Sequence, residues 1–512
     1  MTEPGRFVMV DIPGPTLKRD TIAFLRAHRP RGVCLFKKNV ETAPQTRALV
    51  EQLLKILGPD ALIAIDQEGG SVVRSSDLPY PPPAMSLGAA NDPTLAREMG
   101  RLTGRGLRAL GVNWNFAPVL DVNNNPLNPV ISERSFGANP NRVAALGAAF
   151  ARGLQEEGVA ACGKHFPGHG DTGLDSHLDL PRVERDRAGL EALELAPFKA
   201  CLKGLAGIMT AHIVYPALDD TLTPATLSGP ILTGLLRREW GYGGVIITDS
   251  MRMKAIDDRH PRGEAAVQAM LAGADMVMAL GPRKSQLETL NALKDAFRAG
   301  LLDAGRLEAS ERRLAALAAR YPARPRALDD DTLRSDLHAA RLAWRRGVTL
   351  VPFQGRAPSV PARGARVRLL MARTARGENV AEAGLSAVEL AQTLQSIYDL
   401  EVLPFDPSDP LAVLPSLMEL PRDVALILAS TGRRRPSAAW REMAQAARPD
   451  LHLALWNPFT VEDVPAPAIV TYGYRPPGLA ALLDVLLDPT TAGGDAPAPL
   501  RAGLSSTLEA HA

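Results

Sequence analysis

A glycine-rich segment between residues 164 and 177 collects several side chains that can transfer a proton or carry charge. It reads Lys-His-Phe-Pro-Gly-His-Gly-Asp-Thr-Gly-Leu-Asp-Ser-His. Glycine and proline interrupt regular structure, so the ionisable groups can be directed at one small volume, as in a catalytic loop. A solvated turn is the alternative, and the order of the residues favours the catalytic interpretation.

Asp175 and His177 are two residues apart in this segment, so the carboxylate can reach the imidazole and fix its tautomer. Such a pair makes a general acid/base, because histidine titrates near neutral pH. The competing interpretation is a metal site with His165, His169, His177 and Asp171 as ligands. Since no HxH or HExxH spacing on a regular element is present, we expect no metal.

Asp249 closes the apolar run that begins at Gly244. A carboxylate at the end of a stiff buried strand is well placed as a nucleophile or as an electrostatic stabiliser. The simpler alternative is an aspartate that caps the following helix.

Two further segments carry charged groups of the kind that hold a sugar. Asp66 opens the run that ends at Arg74, and Arg134 lies between Glu133 and Ser135. Carboxylates accept hydrogen bonds from vicinal hydroxyls, while arginine and lysine donate to sugar oxygens. Convergence with the Lys164–His165 pair would make a sugar-binding site.

Eight short apolar runs, each followed by a stretch with helical periodicity, predict a (β/α)8 TIM-like barrel. The runs are 7–10, 32–36, 61–66, 113–119, 160–165, 207–212, 245–249 and 274–280. Several end in polar residues: Asp66, Lys164 with His165, His212 and Asp249. The carboxyl ends of barrel strands share one face, so these side chains should converge there.

A second, smaller doubly wound α/β domain, an αβα sandwich, is predicted downstream. A helical pattern from 285 to 319 and a proline-containing linker at 321–326 precede it, and a helix is expected at 381–398. Its predicted strands are 347–352, 367–371, 400–404, 424–429, 451–456 and 469–472. The expected domains are thus 1–328 and 329–490, followed by a mobile tail at 491–512.

Composition excludes some classes of protein. The 512 residues carry a formal net charge of +2, with 46% hydrophobic and 22% charged residues. This balance gives no sign of a nucleic-acid partner, and no GxGxxG or Walker motif indicates a nucleotide cofactor. The basic cluster at 433–435 favours a solvated face. Three cysteines imply no disulfide framework, and no leader or membrane span is apparent. We expect a cytoplasmic monomer without cofactor or membrane partner.

Taken together, five blocks resemble the glycoside hydrolase family 3 β-N-acetylglucosaminidases over roughly residues 1–320. The blocks are Asp66-Gln67-Glu68-Gly69-Gly70, 115–122, Arg134-Ser135-Phe136-Gly137, 164–170 with Asp175-Ser176-His177, and Thr248-Asp249-Ser250-Met251. Two positions depart from the family pattern. Ser71 stands where arginine is expected, and Ser250 stands where a second acid is frequent.

The resemblance implies a retaining exo-hydrolase that removes terminal β-linked N-acetylglucosamine, typically from muropeptides during peptidoglycan recycling. Asp249 would be the nucleophile, and His177 paired with Asp175 the acid/base, on an arm expected to close over bound substrate. The sugar would be held by Asp66, Arg74, Arg134, Lys164 and His165.

The sequence leaves three alternative functions open. A family 3 β-glucosidase would be expected to lack the Asp175-Ser176-His177 motif. A phosphorylase of β-N-acetylglucosaminides is compatible with it, because neutral imidazole does not repel phosphate. A catalytically silent muropeptide sensor would have no need of Asp249.

Overall fold

The structure, a computed structural model, describes residues 3–173, 179–373, 385–418, 421 and 423–500. Within these ranges no helix is both long enough and apolar enough to cross a membrane. Cys34, Cys162 and Cys201 are buried thiols.

Eight parallel strands close into a barrel, which confirms the fold expected from the apolar runs. The strands are β1 (Val8–Asp11), β2 (Gly32–Leu35), β3 (Leu62–Ile65), β4 (Trp114–Asn115), β5 (Ala160–Phe166), β6 (Gly207–Thr210), β7 (Val245–Ser250) and β8 (Met276–Ala279). Closure comes from parallel pairing of β8 with β1, where Val10 lies opposite Ala279. Because helices cover the outside, the strands are buried on both faces and are mostly apolar, with polar residues near their carboxyl ends.

The barrel helices surround these strands. They are α1 (Arg19–His28), α2 (Ala43–Leu57), α3 (Ala84–Ala90), α4 (Pro93–Leu110), α5 (Pro140–Glu156), α6 (Arg187–Ala192), α7 (Leu195–Cys201), α8 (Lys254–Asp257), α9 (Arg262–Ala272), α10 (Arg283–Arg298) and α11 (Ala304–Arg320). A π-helix, Pro230–Glu239, lies between β6 and β7. The single helical pattern expected over 285–319 is in fact two helices. Gly300 breaks it with φ of 69°, and Asp303 caps α11 through the backbone N–H groups of Gly305 and Arg306.

The second domain begins with α12 (Asp330–Gly347) and contains a six-stranded sheet. Its elements are β9 (Thr349–Val351), β10 (Arg366–Ala372), α13 (Ala387–Leu394), β11 (Asp399–Phe405), α14 (Leu414–Met418), β12 (Ala425–Ser430), α15 (Ala438–Ala447), β13 (Leu451–Ala454), β14 (Ala468–Val470) and α16 (Pro476–Leu487). The strand order is β11-β10-β12-β13-β14-β9, and only the edge strand β9 is antiparallel. The helix expected over 381–398 ends at Leu394, and residues 381–384 lie outside the described ranges.

Residues 492–500 differ from the mobile tail expected from residue 491. Gly494 N–H donates to the Val348 carbonyl at 3.0 Å, and the Pro497 carbonyl accepts from Ala138 N–H at 3.1 Å. Ala498 and Leu500 are buried in a cluster that includes residues of both domains. Apolar burial and backbone hydrogen bonds therefore fix a segment whose composition suggested disorder; residues 501–512 lie outside the described ranges.

Helices α4 and α5 approach closely because each presents glycines to the other. A Cβ atom at Gly153 would overlap the carbonyl oxygen of Arg97, and one at Gly100 would overlap that of Phe150. Backbone atoms cannot move aside as a flexible side chain can, so even one methyl group is too large at this crossing.

We expect Gly153→Ala to lower the free energy of unfolding by about 1–3 kcal/mol through overpacking. Urea denaturation of the full chain measures the effect. The matched control is Gly305→Ala on the exposed side of α11, where the nearest atom is an Asp303 carboxylate oxygen at 3.4 Å. The control should be neutral or stabilising by up to about 1 kcal/mol; equal losses at both positions would contradict close packing as the cause.

Candidate active site

A cavity of about 890 Å³ opens at the carboxyl ends of the barrel strands. It is lined by six of the residues predicted from the sequence: Asp66, Arg74, Arg134, Lys164, His165 and Asp249. The barrel thus brings together groups that are up to about 180 residues apart, because parallel strands end on one face. Asp175 and His177, the predicted acid/base pair, lie outside the described residues.

Lys164 is a buried cation between two carboxylates. Its side chain is 2% exposed, and Nζ lies 2.8 Å from Asp66 Oδ1 and 2.6 Å from Glu68 Oε1. Burial alone would lower the pKa of Lys164, but the negative charges of Asp66 and Glu68 outweigh it and raise the pKa. The ammonium therefore stays charged and fixes both carboxylates at the cavity wall.

Arg134 extends this charge network through a bidentate contact. Its Nε and Nη2 each donate to Glu68 at 2.8 Å. Burial opposes the charge on Glu68, yet Arg134 and Lys164 hold the pKa of that carboxyl far below its ordinary value. Glu68 had no predicted role, although it stands two residues after Asp66 in the same sequence block. The position of Glu68 between Arg134 and Lys164 could be recognised only in the folded chain.

Asp121 is a second carboxylate to which the sequence assigned no role. Its Oδ2 lies 2.7 Å from His165 Nδ1, and its Oδ1 accepts from the backbone N–H groups of His165 at 3.0 Å and His169 at 2.7 Å. Burial would raise the pKa of Asp121, but His165 and these hydrogen bonds lower it. Asp121 therefore fixes the orientation of His165 and the backbone of the loop that follows β5.

His169 lies beside this pair and is kept neutral. Its ring centroid is 5.8 Å from that of His165, and its Nδ1 lies 2.8 Å from Thr172 Oγ1. Burial and the neighbouring His165 lower the pKa of His169 to about 4. At neutral pH the imidazole is therefore uncharged. The positive charges that pair with the carboxylates of the site come from Lys164 and Arg134.

Asp249 lies half-buried at the end of β7, where its Oδ1 accepts from the backbone N–H of Ser250 at 2.6 Å. His212, expected to face the same site from β6, is buried and is not among the residues that line the cavity. Its Nε2 donates to the Ser250 carbonyl at 3.0 Å. His212 therefore holds the end of β7, next to Asp249, and acts on the strand rather than on the cavity.

The alternative metal site is not assembled by the residues that the structure describes. Asp171 Oδ2 is paired with Arg185 at 2.7 Å. Nowhere in the described ranges do three or more His, Cys, Asp or Glu side chains form a group that could hold a metal ion. His177, the remaining proposed ligand, lies outside those ranges.

Comparison with known proteins gives the family. The model of the glycosyl hydrolase family 3 N-terminal domain matches residues 5–317. The chain belongs to glycosyl hydrolase family 3. This membership confirms the family that the sequence blocks suggested, and the protein is a glycoside hydrolase.

Relatives of this family 3 hydrolase differ in how much of the chain they cover. A β-hexosaminidase of Alkalilimnicola ehrlichii is 40% identical over 280 residues, which are 53% of this chain and 79% of that protein. The structure of a family 3 β-N-acetylglucosaminidase from Paenibacillus sp. FPU-7 matches with a TM-score of 0.88 and 33% identity, over 97% of this chain and 98% of that one. The native NagZ structure from Neisseria gonorrhoeae covers 61% of this chain, at 32% identity and a TM-score of 0.51. Similarity thus extends through both domains in one case and through about half of the chain in the others.

The lowered pKa of His169 predicts a pH-dependent stability. Its folded pKa, about 4, lies below the ordinary value of about 6.5, so the unfolded chain takes up a proton that the folded one excludes. The stabilisation is complete above about pH 6.5 and is lost as the pH falls towards about 4. We expect His169→Gln to weaken this dependence of the thermal unfolding midpoint. The control is His338→Gln on the exposed face of α12; if it weakened the dependence equally, His169 would not be the group responsible.

Proposed function

We propose that this family 3 hydrolase is a retaining exo-β-N-acetylglucosaminidase. The observation that carries the proposal is the position of Asp249 in one cavity with Asp66, Lys164 and Arg134. A half-buried carboxylate beside a fixed set of sugar-binding charges suits attack on an anomeric carbon. Support for the N-acetylglucosamine specificity comes from the relatives named as β-hexosaminidase and β-N-acetylglucosaminidase.

In the proposed reaction, an oxygen of Asp249 attacks the anomeric carbon and forms a glycosyl-enzyme. The glycosidic C–O bond breaks, and the departing oxygen takes a proton from His177, which Asp175 orients. Neutral His177 then takes a proton from water, whose oxygen displaces Asp249 and regenerates the carboxylate. A histidine replaces the second carboxylate that retaining glycosidases ordinarily use.

The charged side chains that line the cavity would hold the sugar. Asp66 has its Oδ1 on Lys164 and its Oδ2 3.8 Å from an Arg74 nitrogen, which leaves accepting capacity for sugar hydroxyls. Arg74, Arg134, Lys164 and His165 would donate to hydroxyl or acetamido oxygens. Because protein partners already hold these side chains in place, less side-chain entropy is lost when the sugar binds.

Asp249→Ala should abolish turnover of a chromogenic β-N-acetylglucosaminide, with a fall in kcat of roughly 10³-fold or more. The assay compares the β-N-acetylglucosaminide with the β-glucoside, with and without phosphate. The control Asp258→Ala removes an exposed carboxylate nearby and should leave the rate unchanged.

Three results would contradict parts of the proposal. Wild-type rates in Asp249→Ala would remove the nucleophile assignment. Preference for the β-glucoside would remove the specificity. Faster turnover in phosphate with a sugar phosphate as product would replace hydrolysis by phosphorolysis.

A cationic rim supports a muropeptide as the natural substrate. Lys37, Lys38, Arg252 and Lys254 line the outer cavity, beside the Phe36 ring. Lys38 is paired with Asp11, whereas Arg252 and Lys254 have no acidic partner among the residues that the structure describes. Such a rim favours an aglycone that carries carboxylates, as muropeptides do. We further propose that these fragments come from peptidoglycan recycling and are cleaved in the cytoplasm.

The backbone at Gly281 gives Arg252 its place on this rim. Gly281 adopts φ of 97°, and its N–H donates to Asp11 Oδ1 at 2.7 Å. A Cβ atom there would overlap the Arg252 side chain, so glycine allows the guanidinium stem to lie across the end of β8.

Arg252→Gln should lower kcat/KM for a β-N-acetylglucosaminide with a carboxylate-bearing aglycone by about fivefold, because a charge contact is lost. For a neutral aglycone the change should stay within about twofold. The comparison is made at low ionic strength, where screening is weakest. The control Arg259→Gln removes an exposed arginine that is paired with Asp179. Equal losses for acidic and neutral aglycones would refute the acidic-aglycone proposal.

A further inference from the structure

The sugar-binding loop after β3 is anchored in the second domain. Val73 and Tyr80 belong to the hydrophobic cluster of that domain, together with Trp344, Leu455 and Trp456. They belong to the same loop as Asp66 and Glu68, between β3 and α3. The loop that carries two of the cavity carboxylates therefore has two of its apolar side chains buried in the second domain.

Glu133 connects this loop to the second domain through hydrogen bonds. Its side chain is 0% exposed, and its Oε1 accepts from Ser71 Oγ at 2.6 Å and from Trp456 Nε1 at 2.8 Å. Its Oε2 has no hydrogen-bond partner among the described residues. A buried carboxylate with so few donors depends strongly on each one. Glu133 directly precedes Arg134, the arginine that holds Glu68.

Two arginines of the second domain reach the same loops. Arg433 is 3% exposed and donates to the Val130 carbonyl, which also accepts from Arg134 Nη1 at 3.1 Å. Arg475 Nε donates to the Gly70 carbonyl at 3.2 Å. The solvated face expected for the basic cluster at 433–435 is therefore wrong for two of its arginines, since Arg435 is also engaged, by Glu462 and Asp463, while Arg434 is exposed.

We propose that the second domain positions the sugar-binding residues and that Trp456 is a positioning residue acting through Glu133. Trp456 and Ser71 hold the Glu133 carboxylate, Glu133 sets the backbone before Arg134, and Arg134 orients Glu68 beside Lys164. Trp456 is 0% exposed, so it acts on the substrate only through this chain of contacts. The inference rests on the proposed role of Arg134 and Asp66 in holding the sugar.

Trp456→Phe in the full chain tests the idea, because it removes the indole N–H and keeps an aromatic ring. KM for a chromogenic β-N-acetylglucosaminide should rise roughly tenfold, as expected for a lost buried hydrogen bond, while kcat stays within about threefold. The matched control is Trp344→Phe in the same cluster. Trp344 is 1% exposed, and its Nε1 has no partner among the described residues. Both variants lose ring volume and should lower the thermal midpoint, Trp456→Phe more because it also loses a buried hydrogen bond, but only Trp456→Phe should raise KM.

Ser71→Ala provides a second route that leaves the core of the second domain intact. It should raise KM several-fold, and its effect should not add to that of Trp456→Phe, because both donors act on the same Glu133 oxygen. If Trp456→Phe does not fold, the KM of Ser71→Ala alone tests whether the hydrogen bonds to Glu133 position the sugar-binding residues. Unchanged KM in Ser71→Ala, or equal KM changes in Trp456→Phe and Trp344→Phe, overturns the inference. Failure of the wild type to cleave the β-N-acetylglucosaminide would instead overturn the proposed function.

Discussion

The ammonium group of Lys164 lies in the barrel interior, between the carboxylates of Asp66 and Glu68. Removing one partner from a buried ion pair costs about 3–5 kcal/mol, since the remaining charge is left in a medium that solvates it poorly. Arg134 supplies the second cation, so the cluster has two positive and two negative groups in mutual contact. This balance keeps the groups charged in a buried site and gives the cavity fixed hydrogen-bonding atoms before any substrate arrives.

Buried side chains behind the cavity wall hold this cluster of charged groups in position relative to Asp249. Asp121 holds His165 and the loop after β5, while His212 holds the end of β7. Both are buried, and neither carries the proposed chemistry. Asp121 and His212 hydrogen-bond to backbone groups at and just beyond the ends of β5 and β7. They therefore act on the strand ends and not on the substrate.

The second domain also packs against the loops that carry the cavity residues. Its core encloses Val73 and Tyr80, and Trp456 donates to Glu133 between the loops that carry Asp66 and Arg134. A barrel strand fixes the residue at its end, but the loop beyond it needs packing of its own. In this chain part of that packing comes from the hydrophobic cluster of the second domain, although the residues that line the cavity belong to the barrel.

Sequence patterns were sufficient to predict the barrel, the second α/β domain and six of the cavity residues. Continuous apolar runs that alternate with helical patterns are typical of parallel strands buried on both faces, and glycine-rich motifs mark the strand ends. The sequence patterns missed the break between α10 and α11. They also predicted solvent exposure for the tail at 492–500 and for Arg433 and Arg435, because local composition does not reveal a distant packing partner. The roles of Glu68, Asp121, His212 and Glu133 become visible in the folded chain. Each is defined by a contact with residues far along the chain, and such contacts exist only after the chain has folded.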